Sequence, residues 1–262
     1  MINGESHLNT LESVSKVFWC CRSIQIEEKL VKSILLATAN AFAPPEKLGR
    51  PRTDHGLLID TFIRVLRTGM PWREVRDVDF RTAHRHFILW ARGGIFEKTY
   101  RRLLALCSRR KRDGTFLAID TTFVKNVFGT DVLGRNPTDR GRKASKVVAV
   151  VDERGLPHRL GFLPANVSDY KVLHSVLPLP KCEKGLKVYA DKGFDSEAIR
   201  KVIMDAGFEP RIPKRGSPAA PWSERRRRVV ERFFGVIDKC RRLILRYDKT
   251  VVAYEAWTWL AS

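Results

Sequence analysis

Two apolar stretches of this chain each end on a carboxylate. Residues 116–119 read Phe-Leu-Ala-Ile and run into Asp120, and residues 186–190 read Leu-Lys-Val-Tyr-Ala and run into Asp191. Because a connection that contains a helical pattern separates them, the two stretches can lie parallel in one sheet with their carboxyl ends together. That edge is where α/β sheets place their ligands.

Two carboxylates at one sheet edge predict a divalent metal site. The carboxylates repel, and each raises the pKa of the other unless a positive charge intervenes. Mg²⁺ favours carboxylate oxygens and keeps waters that can become nucleophiles. Two such ions, about 3.5–4 Å apart, can clamp the attacking and leaving oxygens of a phosphodiester displacement. Glu231, in a basic segment near the C-terminus, is a candidate third carboxylate.

Each of these acids also has an ordinary structural interpretation. A strand-end aspartate can simply belong to a turn, as we interpret Asp152 in the "DERG" hairpin turn. Glu231 can be a surface glutamate, since at about 100° per residue it faces nearly away from the apolar stripe that starts at Val229. It reaches the sheet edge only if Val230 and Phe234 pack on the sheet, which the periodicity permits without deciding.

The composition favours a polyanionic partner. The 262 residues include 49 Lys and Arg against 29 Asp and Glu, a formal net charge of +20. Such a field attracts DNA, RNA or an anionic membrane. No apolar stretch reaches the ~18 residues of a spanning helix, and residues 1–20 lack a secretory signal. We therefore expect an intracellular protein with no membrane partner.

Cationic segments that can contact phosphate accompany the acids. The densest is the arginine run at residues 225–228, whose third member lies one helical turn before Glu231. A glycine-rich basic loop at residues 129–143 is the second, and the ordinary alternative for either is a solvated face. We predict DNA contacts from these side chains: Arg225, Arg226, Arg227, Arg228, Arg142, Lys143, Lys146, Arg81 and Arg85. Contacts to the DNA backbone position a duplex without reading its sequence.

The patterns divide the chain into three parts. Residues 1–42 form a partly helical extension, and a proline-rich linker then leads into a helical domain at residues 43–112. Its middle helix carries Arg81 and Arg85, which suits a helix-turn-helix-like DNA reader, although a plain helical bundle has the same pattern. Residues 113–262 predict an α/β domain in the order β-β-β-α-β-α-β-α, with one continuous last helix at residues 223–246.

At these residues the chain resembles bacterial insertion-sequence transposases of the DDE superfamily, close to the insertion-sequence-five type. The stretches "LRTGMPWREV", "AIDTT", "GRNPTDRGRKASKVVAVVDERGLP", "YADKGFDS" and "VVERFFGVIDKCRRLILRYDKT" carry the resemblance, which spans about residues 45–257. It implies an RNase H-like catalytic fold in which Asp120, Asp191 and Glu231 form the catalytic triad and ligate two Mg²⁺ or Mn²⁺ ions. It further implies binding, cleavage and transfer of double-stranded DNA at element ends, by a homodimer or larger assembly. The expected compartment is the bacterial cytoplasm or nucleoid, or the nucleus of a eukaryotic host.

The sequence also departs from that family pattern. The family often has Tyr seven residues before the glutamate, Arg four before it and Lys seven after it, where this chain has Glu224, Arg227 and Asp238. Only the arginine is retained, so the alternative is a catalytically impaired or domesticated DNA-binding protein derived from a transposase. A basic RNA-binding protein with structural acids is the third hypothesis, but no RNA-recognition signature accompanies it.

Overall fold

The computed structural model describes residues 27–43, 51–108, 115–179, 185–218 and 220–262. Most of the predicted extension, the linker at residues 44–50 and the predicted boundary at residues 112 and 113 lie outside the described residues. Within the described ranges, no helix is both long and apolar enough to cross a bilayer.

A seven-stranded mixed sheet forms the centre of the described C-terminal half. Its strands are β1 (Phe116–Asn126), β2 (Gly134–Arg135), β3 (Lys143–Asp152), β4 (Pro157–Pro164), β5 (Lys187–Tyr189), β6 (Glu209–Arg211) and β7 (Leu245–Arg246). The main strands lie in the order β4-β3-β1-β5-β6. Strand β3 is antiparallel to both neighbours, whereas β1, β5 and β6 are parallel. This is the strand order of an RNase H-like sheet, and it confirms the predicted mixed α/β class.

Helices cover the sheet and form the N-terminal part of the described chain. They are α1 (Glu28–Phe42), α2 (His55–Thr68), α3 (Phe80–Arg92), α4 (Ile95–Ser108), α5 (Asp169–Ser175), α6 (Glu197–Asp205), α7 (Pro221–Ile237), α8 (Arg241–Ile244) and α9 (Val251–Ala261). Asp54 caps the start of α2, and Gly69 ends it with a φ of 68°. A left-handed residue at this position favours glycine because a Cβ is strained there.

One large core joins the helical part to the sheet. Side chains of α1 to α4 pack with those of α7 and α9 and with one face of β1 and β3. At its centre the fully buried Trp257 of α9 stacks on Phe87 of α3, with ring centroids 3.9 Å apart. A second core fills the other face of the sheet, under α5 and α6. The predicted all-α region is therefore present and shares its core with the C-terminal helix, while its helix-turn-helix geometry stays a prediction.

The prediction of one continuous helix over residues 223–246 is wrong. Helix α7 ends at Ile237, Cys240 is extended, and the chain continues through the short α8 into β7. Tertiary contacts override the helical pattern, because β7 pairs with the end of β1. The fully buried Arg246 contacts Ser145 and Asp131 there, and these partners compensate for the burial of its charge.

Candidate active site

Asp120 and Asp191 follow neighbouring parallel strands in matching positions. Strands β1 and β5 pair in a register that sets Ala118 opposite Tyr189, so two further residues along each strand bring Asp120 opposite Asp191. Since side chains alternate between the faces of a strand, both acids lie on the face that carries Ala118 and Tyr189. That face packs against α7. The predicted parallel arrangement of the two strands is confirmed.

Helix α7 brings the third acid and an arginine to this face. Val230 and Phe234 are both buried against the sheet, which is the packing that Glu231 requires in order to approach the edge. Arg227, one turn earlier, donates a 2.9 Å hydrogen bond from Nη2 to Oδ2 of Asp120. The same nitrogen lies 3.8 Å from Oε1 of Glu231. The side chain of Glu231 is 55% exposed, against 16% for Asp120.

Backbone amides fix one oxygen of each strand-end aspartate. Oδ1 of Asp120 accepts a 2.8 Å hydrogen bond from the Thr121 amide. Asp191 caps a short 3₁₀ turn, and its Oδ1 accepts a 2.9 Å bond from the Gly193 amide. The other oxygen of Asp120, Oδ2, is the one that accepts the hydrogen bond from Arg227.

The charges in this cluster influence one another. Burial raises the pKa of the Asp120 carboxyl; the hydrogen bond and charge of Arg227 oppose that rise, and the charge of Asp191 adds to it. Burial alone would lower the pKa of Arg227, but its hydrogen bond to Asp120 and the charges of the three acids raise it. The guanidinium is thus the counterion of Asp120, and the charges of Asp191 and Glu231 further favour its charged form.

The structure adds Gly193 and Asp169 to the residues that the sequence patterns singled out. A Cβ on Gly193 would lie 3.0 Å from Oδ1 of Asp191 and 3.3 Å from Oδ2 of Asp169. Asp169 is therefore a fourth carboxylate beside Asp191, although its position in the sequence indicated only a helix cap. No pattern within one sequence predicts this proximity, because α5 and the 3₁₀ turn meet only in the tertiary structure.

The predicted DNA contacts fall into two groups by exposure. Most of these side chains are exposed on the surface: Arg225, Arg226, Arg228, Arg142, Lys143, Arg81 and Arg85. Arg227 and Lys146 form the second group. The Arg227 side chain is 18% exposed and donates to Asp120. The Lys146 side chain is 8% exposed, and its ammonium contacts the Val167 carbonyl at 2.8 Å and Asp169 at 3.4 Å. A direct contact between Lys146 and DNA would require these bonds to break.

The donor chemistry of the cluster suits a hard divalent cation. Carboxylate oxygens are the ligands that Mg²⁺ prefers, and the cluster already holds a cation, the Arg227 guanidinium. Across the described residues, no three His, Cys, Asp or Glu side chains are grouped closely enough to hold a metal ion. The residues fit a divalent ion by their chemistry, with Arg227 as the cation that such an ion would replace.

The comparisons with known proteins all point to one family, the transposases. A family model described as a transposase DDE domain matches residues 111–219, which include Asp120 and Asp191 but end before Glu231. The chain is 35% identical over 131 residues to a putative transposase for insertion sequence element IS402 from Burkholderia cepacia, covering 47% of this chain and 62% of that protein. It is 32% identical over 127 residues to a putative transposase for insertion sequence element IS6501 from Brucella ovis, covering 45% of this chain and 93% of that protein.

A more distant structural similarity involves a piggyBac transposase in a synaptic complex with hairpin DNA. The TM-score is 0.39 at 12% sequence identity, covering 76% of this chain and 52% of the other, and this level of similarity is too low to transfer any feature. The match to the Brucella ovis relative covers nearly all of that protein. On this ground the chain belongs to the insertion-sequence transposases that carry a DDE domain.

Proposed function

We propose that the protein is a DNA transposase that binds the terminal inverted repeats of an insertion element and cleaves and transfers DNA strands. The observation that carries the proposal is that the Arg227 guanidinium contacts Asp120 and lies 3.8 Å from Glu231. Asp191 follows the neighbouring parallel strand at the position that matches Asp120. Family membership supports the same activity, although the matched segment spans only 62% of the Burkholderia cepacia relative.

Asp120, Asp191 and Glu231 would hold the metal, two Mg²⁺ or Mn²⁺ ions in the proposed active complex. When bound, the ions would lower the pKa of a water molecule and neutralise charge on the phosphodiester. The backbone bonds from Thr121 and Gly193 orient the two aspartates before any ion binds. This preorganisation favours catalysis, since oriented ligands need no rearrangement during the reaction.

Two phosphoryl transfers complete the proposed reaction. In the first, water forms a bond to phosphorus, the bond from phosphorus to the 3′ oxygen breaks, and a 3′ hydroxyl is released. In the second, that hydroxyl attacks a phosphorus atom of target DNA, and the target strand loses its own 3′ oxygen from that phosphorus. No external oxidant or reductant is required in either step.

Exposed cationic groups would hold the double-stranded DNA. Arg225, Arg226 and Arg228 lie exposed on α7 around the acids, and Arg142 and Lys143 lie exposed at the start of β3. Each phosphate contact releases counterions, so affinity should fall steeply with salt. We propose a homodimer or larger assembly on DNA, an intracellular location, and contacts from Arg81 and Arg85 of α3 to the element ends.

The second candidate function is a DNA-binding protein that no longer cleaves. Two observations favour it: Arg227 occupies the space between the acids, and Glu224 and Asp238 replace residues that the family often has. A strand-nicking assay on supercoiled DNA that carries the element ends, run with Mg²⁺ and paired with a DNA-binding assay, separates the two functions.

Asp191→Asn is the decisive variant for this assay, because asparagine keeps the Oδ1 acceptor for the Gly193 amide and so preserves the turn. Asp152→Asn is its matched control, since Asp152 accepts amide bonds from Arg154 and Leu156 within the β3–β4 turn. We expect nicking by the unaltered protein and by Asp152→Asn, and none by Asp191→Asn. Equal nicking by all three proteins would refute the assignment, and binding without nicking by all three would favour the second candidate.

A further inference from the structure

An aromatic pair lies exposed where β1 ends beside β7. Phe128 is 62% exposed and Tyr247 is 38% exposed, and their ring centroids are 6.2 Å apart. Val127 and Ile244, next to them, are exposed as well. We call these four side chains the aromatic platform. Large apolar side chains grouped on a surface mark an interaction site more often than isolated ones do.

The platform is mounted on a rigid backbone. The amides of Val127 and Phe128 donate to the carbonyl of Arg246 at 3.0 and 3.3 Å. The fully buried guanidinium of Arg246 in turn donates to the Asp131 carbonyl at 2.7 Å and to the Ser145 hydroxyl at 2.8 Å. These bonds fix both segments of the platform to the sheet. Binding of a partner therefore costs little conformational entropy of the backbone.

The surroundings of the platform are cationic. Exposed basic side chains lie on the end of β1, on the following loop and after β7: Lys125, Arg135, Arg140, Arg142, Lys143 and Lys249. The chain as a whole carries a formal net charge of +20. This charge attracts a polyanion and repels a second copy of the chain, so nucleic acid is the occupant that the electrostatics favour.

The position of the platform relates it to the candidate active site. Strand β1 carries Asp120 and ends at Asn126, so Phe128 lies eight residues beyond Asp120 in sequence. At about 3.3 Å per residue this separation is at most ~26 Å. This distance is within the length of a few nucleotides of an extended DNA strand.

Aromatic rings exposed to solvent can stack only on a nucleobase whose face is uncovered. In an intact duplex each base face is covered by its neighbours, whereas unpaired and extruded bases are not. The Arg242 guanidinium lies over the Tyr247 ring, 5.9 Å from its centroid, so the more exposed Phe128 ring offers the open face. We propose that Phe128, supported by Tyr247, forms a stacking site for an unpaired nucleobase of a DNA strand, next to phosphate contacts from the basic loop. The inference rests on the proposed function and narrows its substrate to DNA with unpaired nucleotides near the cleavage site.

The test compares two DNA probes in the presence of EDTA, so that cleavage cannot occur. One is a blunt duplex, and the other is the same duplex with a short single-stranded tail that contains 2-aminopurine. We expect the unaltered protein to quench 2-aminopurine. Phe128→Leu, which keeps an apolar group but no aromatic face, should bind the tailed probe roughly 5- to 100-fold more weakly and the blunt duplex equally well. Phe128→Trp should restore both the quenching and the affinity.

Several outcomes would overturn the inference. If Phe128→Leu binds both probes as the unaltered protein does, the platform does not contact bases, although the proposed function stands. If the unaltered protein binds neither probe, the proposed function and the stacking site fail together. If Phe128→Leu instead shifts the molar mass measured by light scattering without DNA, the platform is an interface between copies. The exposure of Phe128 predicts an unchanged melting temperature for each variant, which is measured alongside.

Discussion

Arg227 of α7 donates a 2.9 Å hydrogen bond to Asp120 of β1, across 107 positions of sequence. The contact places a guanidinium where the proposed function requires divalent metal. This bond links the helix to the strand, and the same nitrogen lies 3.8 Å from Glu231 of the helix. Metal and arginine are therefore expected to compete for the same carboxylate oxygens.

Replacement of Arg227 by glutamine should strengthen Mn²⁺ binding to the protein without DNA. A hydrogen bond between charged groups contributes about 1.5–3 kcal/mol, so removal of this competitor should lower the Kd roughly 10-fold or more. Calorimetric titration with Mn²⁺ measures the change. Arg232→Gln is the matched control, because it removes the same charge from an exposed position of α7. Equal affinities in the two variants would contradict the competition.

Gly193→Ala should disturb Asp191 without unfolding the protein. The added Cβ would lie 3.0 Å from Oδ1 of Asp191, so the carboxylate must shift, and small displacements of reacting groups can reduce rates roughly 10-fold or more. Strand nicking and Mn²⁺ affinity should both fall. Gly235→Ala is the control, since a Cβ there would meet no atom within 4 Å other than its chain neighbours and the nearby backbone of its own helix. That variant should nick normally and gain up to about 1 kcal/mol of stability from higher helix propensity.

Trp257→Ala should destabilise the helical region and the sheet together. Trp257 is fully buried and stacks on Phe87, inside the core that both regions share. Truncation of a buried tryptophan costs about 3–5 kcal/mol. Urea denaturation followed by far-UV circular dichroism should give one transition at a lower midpoint. Val252→Ala, at an exposed position of the same helix, should change stability by less than about 0.5 kcal/mol. Two separate transitions in the unaltered protein would contradict the shared core.

Glu255→Gln should stabilise the protein at neutral pH. Burial raises the pKa of the Glu255 carboxyl above its usual value of 4.5, the Trp259 indole bond opposes the rise, and the charge of Glu97 adds to it. Between the unfolded-state pKa and the higher folded-state pKa, the folded protein binds more protons than the unfolded chain. Stability is therefore lost as the pH rises through this interval. Glutamine keeps the acceptor for Trp259 and removes the charge.

Melting temperatures measured from acid to neutral pH test this expectation. The advantage of Glu255→Gln should be largest at neutral pH and should shrink as the pH falls toward 4.5, where the unaltered side chain is protonated. Glu74→Gln, at an exposed position, should follow the pH dependence of the unaltered protein. An advantage for Glu255→Gln that is the same at every pH would exclude the ionisation as its cause.

The local sequence determined the elements and much of the sheet. The apolar runs predicted β1 and β5, and the "DERG" turn predicted the hairpin of β3 and β4. Asp120 and Asp191 directly follow the two apolar runs, so their places at the ends of these runs were predicted as well. These features are local, because a strand, a cap such as Asp54 or a helix stop such as Gly69 depends on neighbouring residues. The net charge likewise predicted a polyanionic partner from composition alone.

Only the tertiary structure decided what the acids face. Helical periodicity left the position of Glu231 undetermined, and only the structure showed Val230 and Phe234 buried and Glu231 beside Arg227. The predicted helix beyond Ile237 failed for a related reason, since pairing of β7 with β1 and the burial of Arg246 outweigh local propensity. Asp169 and Arg227 came to lie beside the strand-end acids through contacts between segments far apart in sequence. Such contacts depend on the packing of whole elements, which no short-range pattern specifies.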